Sequence, residues 1–189
     1  DAESGTLVRV LDETQTAMGG RLLRNWINYP LKDISHINSR LDSVSELSEK
    51  TGIRDSLNKT LKSISDIERL IGRISTTSGR PRDLAAIRDS SLHISEIKSA
   101  LGGFDTAILK ESANGMDDFR DLREMLEASI TDEPPVSSRD GGIIREGVSE
   151  ELDELRSIRS GGKKWIAALE AKEREKTGIG SLKVGYNKV

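Results

Sequence analysis

The sequence contains no cysteine, which excludes disulfide staples, thiolate metal sites and a cysteine nucleophile and is compatible with a reducing interior. Histidine occurs only at His36 and His93. A metal centre or a histidine-based triad needs several convergent partners, and no spacing here supplies them. Aromatic residues make up 3% of the chain, so any core must be built mainly from Leu and Ile. The interleaved aromatic and basic residues of a single-strand stacking platform are absent too. No signal peptide opens the sequence, and no apolar run is long enough to span a bilayer. The net charge of −3 gives no general attraction for nucleic acid, so any such contact must be local.

What remains is a chain of 189 residues, 34% apolar and 32% charged. Its length suits one domain, or one domain and part of the next. That balance fits helices with broad solvated faces better than a compact α/β enzyme. Apolar residues recur at spacings of three and four. Leu22, Leu23, Trp26 and Ile27 mark a short helix stopped by Pro30. Ile37, Leu41, Val44 and Leu47 mark another, with Asp33 or Ser35 as its cap. Ile64, Ile67, Ile71 and Ile74 follow, and Pro81 suits the first turn of a helix carrying Leu84, Ile87, Ile94, Ile97 and Leu101. Gly102-Gly103 ends that helix, a short one is predicted over 106–112, and Phe119, Leu122, Leu126 and Ile130 mark the next long one.

The stretch RDGGIIREG, residues 139–147, raises the question of a phosphate-gripping loop. Such a loop needs glycines between a strand and a helix, so that backbone N–H groups converge on the anion. Here the Gly-Lys-Ser/Thr ending is missing and the surroundings are helical, so the stretch reads as a turn that launches a helix. Ser149 is the expected N-cap, and Glu150 and Glu151 place negative charge at the positive end of the dipole. Val148, Leu152, Leu155, Ile158, Gly162, Trp165 and Leu169 keep one stripe over about 30 residues. The polar EAKEREK stretch predicts a helix that leaves its packing partners. Thr177-Gly178 ends it, and SLKVGYNKV reads as a strand. Within the helix, Gly162 lies on the stripe between Ile158 and Trp165, which predicts a close helix crossing there, with Gly161 freer beside it. Other charged residues have plain uses: Asp117-Asp118 sit at a helix start, and Arg80 or Arg82 is expected to pair with Asp83 rather than with phosphate. The two histidines read as surface or boundary residues.

Four ordered stretches together resemble the MutS family of DNA mismatch-repair proteins. They are Gly5–Leu31 (with Thr14, Thr16, Met18, Gly19, Arg21, Leu22, Leu23, Trp26 and Pro30), Asp66–Leu84, the GVSEELDELR stretch from Gly147, and EREKTGIGSLKVGYNKV at the end. The resemblance implies an all-α fold: a multi-helix core with a long protruding lever helix, plus a short C-terminal β-strand fragment. It implies a helical core and lever domain over residues 1–177, and at 178–189 the start of a clamp domain. It further implies a parent that recognises mismatched double-stranded DNA and switches with ATP and Mg²⁺, held in a catalytic domain outside this sequence. Beginning on Asp1 and stopping at Val189 within the apparent strand, the sequence reads as a piece of that parent.

For this stretch itself no catalytic, cofactor or metal residue is expected, and it is not read as an enzyme. The candidate DNA-backbone contacts are Lys183 and Lys188, with solvated lysines as the plain alternative. The partners implied are a second MutS-family subunit, in a homodimer or heterodimer, and a MutL-type protein, with no membrane. The compartment implied is the cytoplasm of a prokaryote or the nucleus of a eukaryote. Two other readings stay open: a self-standing helical adaptor that binds a partner helix, and the same domain of a MutS paralogue outside mismatch repair.

Overall fold

The computed structural model describes residues 5–185. Among them are nine α-helices and one 3₁₀ turn: α1 (Leu7–Leu11), α2 (Ala17–Asn28), α3 (Ile34–Glu49), α4 (Thr51–Lys62), α5 (Ile67–Ser75), α6 (Pro81–Leu101), α7 (Ala107–Gly115), α8 (Arg120–Ser129), the turn at Ser138–Asp140, and α9 (Glu150–Thr177). The chain divides into two compact units, residues 1–143 and 144–189.

In the first unit, the helix starts are set by short polar side chains. Thr16 accepts from the Gly19 N–H at 3.0 Å, Asp33 from His36 at 2.9 Å and Asp66 from Arg69 at 3.3 Å; each satisfies a donor that the helix itself leaves open. The acid pair at 117–118 forms two tight turns just ahead of α8, with Asp117 receiving the Phe119 N–H and Asp118 the Arg120 N–H, while α8 has no side-chain cap. Helix α6 lies at the centre and packs against α4, α5, α7 and α8, while α3 packs against α4 and α7. Being covered on several sides, α6 buries small and polar residues, Ala85, Ser90 and Ser91, besides Ile97 and Leu101. Ser90 is fully enclosed and accepts the Ser65 N–H at 3.1 Å. The main core is Leu57, Ile97, Leu101, Phe104 and Ala113, closed by Leu47, Ile53, Leu61, Ile64, Leu109 and Met116.

Two helices in this unit went unpredicted and one came out shorter. Helix α4 follows α3 across the single residue Lys50, so no breaker announces it, although Ile53, Leu57 and Leu61 keep a spacing of four. Helix α1 is a single capped turn with no buried residue. Helix α8 has ten residues, and Phe119 stands just outside it in the left-handed conformation, at φ 49°.

The turn between α5 and α6 is tight. Thr77 has φ 58°, and a β-carbon on Gly79 would meet the Ile74 Cα at 3.0 Å. Backbone cannot yield as a flexible side chain does, so Gly79→Ala is expected to lower the unfolding midpoint measured by circular dichroism.

In the second unit, α9 begins as expected. Ser149 accepts the Leu152 N–H at 3.3 Å, and three acids, Glu150, Glu151 and Asp153, occupy the first turn. It ends at Gly178, left-handed at φ 70°, whose N–H closes onto the Arg174 carbonyl. The apolar stripe is largely open: Leu155, Ile158 and Trp165 are 57%, 64% and 67% exposed. Among the described residues no close crossing meets Gly162: apart from its own helix and chain neighbours, no atom lies within 4 Å of a β-carbon built there or at Gly161. Both Gly161→Ala and Gly162→Ala are therefore expected to stabilise α9 by about 1 kcal/mol each, read as added helicity and a later melt.

The strand expected from Ser181 is not formed over residues 181–185. A strand needs a ladder partner for its N–H and C=O groups, and this segment instead turns back on α9. Arg174 Nε donates to the Leu182 carbonyl at 2.8 Å, and the Val184 N–H donates to Glu170 at 3.1 Å. Residues 186–189 lie outside the described residues.

Candidate functional site

The charged side chains of the first unit are grouped into clamps between helices. Arg21 of α2 meets Asp66, the cap of α5, with two hydrogen bonds of 2.8 and 2.7 Å, and reaches Glu68 at 3.1 Å. This fork geometry is the strong form of an ion pair. It holds the Asp66 carboxyl at about 2, with the Arg69 N–H adding to the effect. Arg73 of α5 likewise grips Asp83 of α6 at 3.1 and 2.7 Å, and Asp83 also accepts the Arg80 backbone N–H at 2.9 Å. Both contacts depress the Asp83 carboxyl, the Arg73 pair more strongly. The side-chain partner of Asp83 is thus Arg73, not the neighbouring Arg80 or Arg82 predicted from sequence. Arg82 donates to the Pro134 carbonyl at 3.1 Å instead. The buried Arg88 donates to the Asp132 and Thr131 carbonyls at 3.1 and 3.3 Å, fastening the loop after α8 to α6.

A third clamp holds α7. Glu46 of α3 accepts the backbone N–H groups of Asp105 and Thr106 at 2.7 and 2.9 Å, and Lys50 at 2.8 Å. Lys50 also donates to the Gly103 carbonyl at 2.7 Å. Helix α7 has no side-chain cap; Glu46 instead fastens the two residues just ahead of it, Asp105 and Thr106. None of these clamps was predicted. Glu46 and Lys50 do share a helix-face spacing of four, but the groups they grip lie 53 to 60 residues away. Arg21 and Asp66 are 45 apart.

The glycine-rich stretch has its own fastenings. Thr131 holds the carbonyls of Ile143 and Gly142 at 2.9 and 3.1 Å. Within the second unit, the Gly147 N–H is taken by Asp153 at 2.6 Å and the Leu152 N–H by Ser149 at 3.3 Å. His36 is exposed beside Asp33, and His93 contacts Glu96 at 3.1 Å. Among the described residues, no group of three or more His, Asp or Glu side chains is placed to hold a metal ion. No described helix is long and apolar enough to cross a membrane. Of the two candidate DNA contacts, Lys183 is exposed, between Leu182 and Val184, whose backbones are tied to α9. Lys188 lies outside the described residues.

These features define an all-α scaffold, with its charges engaged in fastening helices together and a 28-residue helix in its second unit. Residues 1–182 match the MutS domain III family, and the chain belongs to it. Among its relatives, the DNA mismatch repair protein MutS of Halothermothrix orenii is 49% identical over 185 residues, 98% of this chain and 21% of that protein. MutS of Alkaliphilus oremlandii is 47% identical over 187 residues, 99% of this chain and 21% of that protein. The archaeal MutS of Methanothrix thermoacetophila is 44% identical over 190 residues, 100% and 22% respectively. The chain thus spans about a fifth of the length of the relatives it matches.

Proposed function

We propose that this chain is the core and lever part of a longer mismatch-repair protein, carrying conformational change between an ATPase and a DNA clamp. Residues 1–177 form the core and lever in this reading, and 178–189 begin the clamp. The observation that carries it is α9, in a chain of the MutS domain III family. At 28 residues it is about 42 Å long, with side-chain and αL caps at its two ends. A continuous helix of that length moves as a unit, as a two-state coupling requires. The longer protein finds mispaired duplex DNA, holds ATP and Mg²⁺ in another domain, pairs with a second MutS-type subunit and signals to a MutL-type protein. Its compartment is the cytoplasm, in keeping with relatives from bacteria and archaea. The chain itself carries no catalysis in this reading.

The test is made in the full-length protein. Gly161→Pro breaks α9 near mid-length and is expected to slow ATP-dependent release from a mismatch, because a helix in two pieces no longer moves as one. Release at the parental rate, with the lost helicity confirmed, would remove the lever role of this segment. In the same protein Lys183 and Lys188 are assigned to DNA phosphates. Replacing both with alanine is expected to weaken matched and mismatched duplexes equally and to lower the salt slope of binding by about 2. An unchanged slope would return both to solvent.

A further inference from the structure

Asn114 is the only asparagine of the chain followed by glycine. Both Asn114 and Gly115 are exposed at the end of α7, and no atom lies within 4 Å of a β-carbon built on Gly115. The last turn is closed by the Met116 N–H on the Ser112 carbonyl at 3.2 Å. Among the described residues no hydrogen bond restrains the Asn114 amide. We propose that Asn114 is a site of spontaneous covalent modification, in which the Gly115 backbone nitrogen attacks the Asn114 side-chain amide and converts it to aspartate and isoaspartate.

The chemistry needs only water. The Gly115 nitrogen bonds to the Asn114 Cγ, the Cγ–Nδ2 bond breaks, and ammonia leaves carrying the proton lost from the backbone nitrogen. The resulting five-membered imide is opened by one water at either carbonyl. Attack at one carbonyl gives aspartate; attack at the other routes the backbone through the side-chain carbon as isoaspartate. No electron is gained or lost. Glycine permits the step because it puts no side chain beside the attacking nitrogen and adopts conformations closed to other residues. In a helix interior the backbone is held away from the geometry of attack. One residue from the end of α7, fraying of the last turn releases it. Asn25, Asn28, Asn38 and Asn58 each precede a residue with a side chain and lie within helices.

The product matters to the fold because of its position. A new carboxylate in the last turn of α7 faces the negative end of the helix dipole and adds to Asp117 and Asp118 beyond it. Isoaspartate lengthens the backbone between Ala113, which is buried in the core, and Met116, which packs against it.

The test incubates native full-length protein at mildly alkaline pH, digests it with trypsin and follows the peptide of residues 111–120 by mass spectrometry. The expected result is a gain of about 1 Da at Asn114, an amide replaced by a carboxyl. The product should split into two chromatographic forms, with no comparable gain at the four other described asparagines. In Gly115→Ala the gain should be lost over the same incubation. Conversion in the urea-unfolded chain but not in the native protein would show that the helix end is shut and overturn the proposal. Conversion at the parental rate in Gly115→Ala would overturn it equally.

Discussion

Phe104→Ala is expected to destabilise the first unit by about 3–5 kcal/mol, the usual range for emptying a buried aromatic site. Phe104 is 1% exposed and sits where Leu57, Ile97, Leu101 and Ala113 meet. Its neighbours come from three helices, α4, α6 and α7, so no single element can move in to fill the space. The Lys50 ammonium lies 5.2 Å from the ring centre, adding a cation–π contact that alanine also removes. The unfolding midpoint in denaturant should fall with little change of slope. The same substitution at Phe119, 43% exposed, should cost far less, and equal losses at the two positions would contradict the core assignment.

The second large effect is electrostatic. Glu46→Gln keeps the size of the side chain but removes the charge that Lys50 and the α7 turn share. In the folded chain this carboxyl is held at about 2, against an ordinary 4.5, chiefly by Lys50 and then by the N–H groups of Thr106 and Asp105. Because the folded value is lowered, the stabilising contribution is fully present above pH 4.5. It declines as pH falls through about 2, where the folded protein also takes up the proton. The parent should therefore be the more stable of the two at neutral pH, and the gap should close on acidification. Asp66 titrates in an overlapping window, from 3.8 down to about 2, and the Asp83 carboxyl is lowered as well, so the parent's acid transition reports several groups. The difference between parent and Glu46→Gln isolates one. A gap that stays constant from neutral pH down to about pH 2 would mean that Glu46 acts through shape alone.

The two sites differ in how far they could be read from sequence. Spacing of three and four located the helix carrying Ile97 and Leu101, because burial of one face leaves a local periodic trace. The polar caps were equally local: Ser149 acts where it was expected, and of the two candidates Asp33 and Ser35 it is Asp33 that caps α3. The clamps leave no such trace. Glu46 is one acid among 32 acidic residues, and its role is created only when α7 is brought to α3. Asp83 shows the same limit: local reasoning paired it with adjacent arginines, whereas the fold delivers Arg73 from the preceding helix. At Gly162 the apolar stripe was read correctly but the covering surface was not, since a stripe states that a face is apolar without stating what meets it. Order and spacing of the motif stretches carried the family reading. The structure now joins two of those stretches physically, through Arg21 and Asp66.

The two tryptophans give the molecule a pair of built-in optical reporters. Trp26 is 43% exposed with the Arg40 guanidinium 3.8 Å over its ring, and Trp165 is 67% exposed on α9. They belong to different units, so single Trp→Phe replacements separate their signals. Emission from Trp165 should be solvent-like and readily quenched by neutral acrylamide, whereas the overlying arginine should give Trp26 a partly shielded response. Any chain segment or ligand that settles on the open side of α9 would shift the Trp165 spectrum to shorter wavelength and protect it from the quencher.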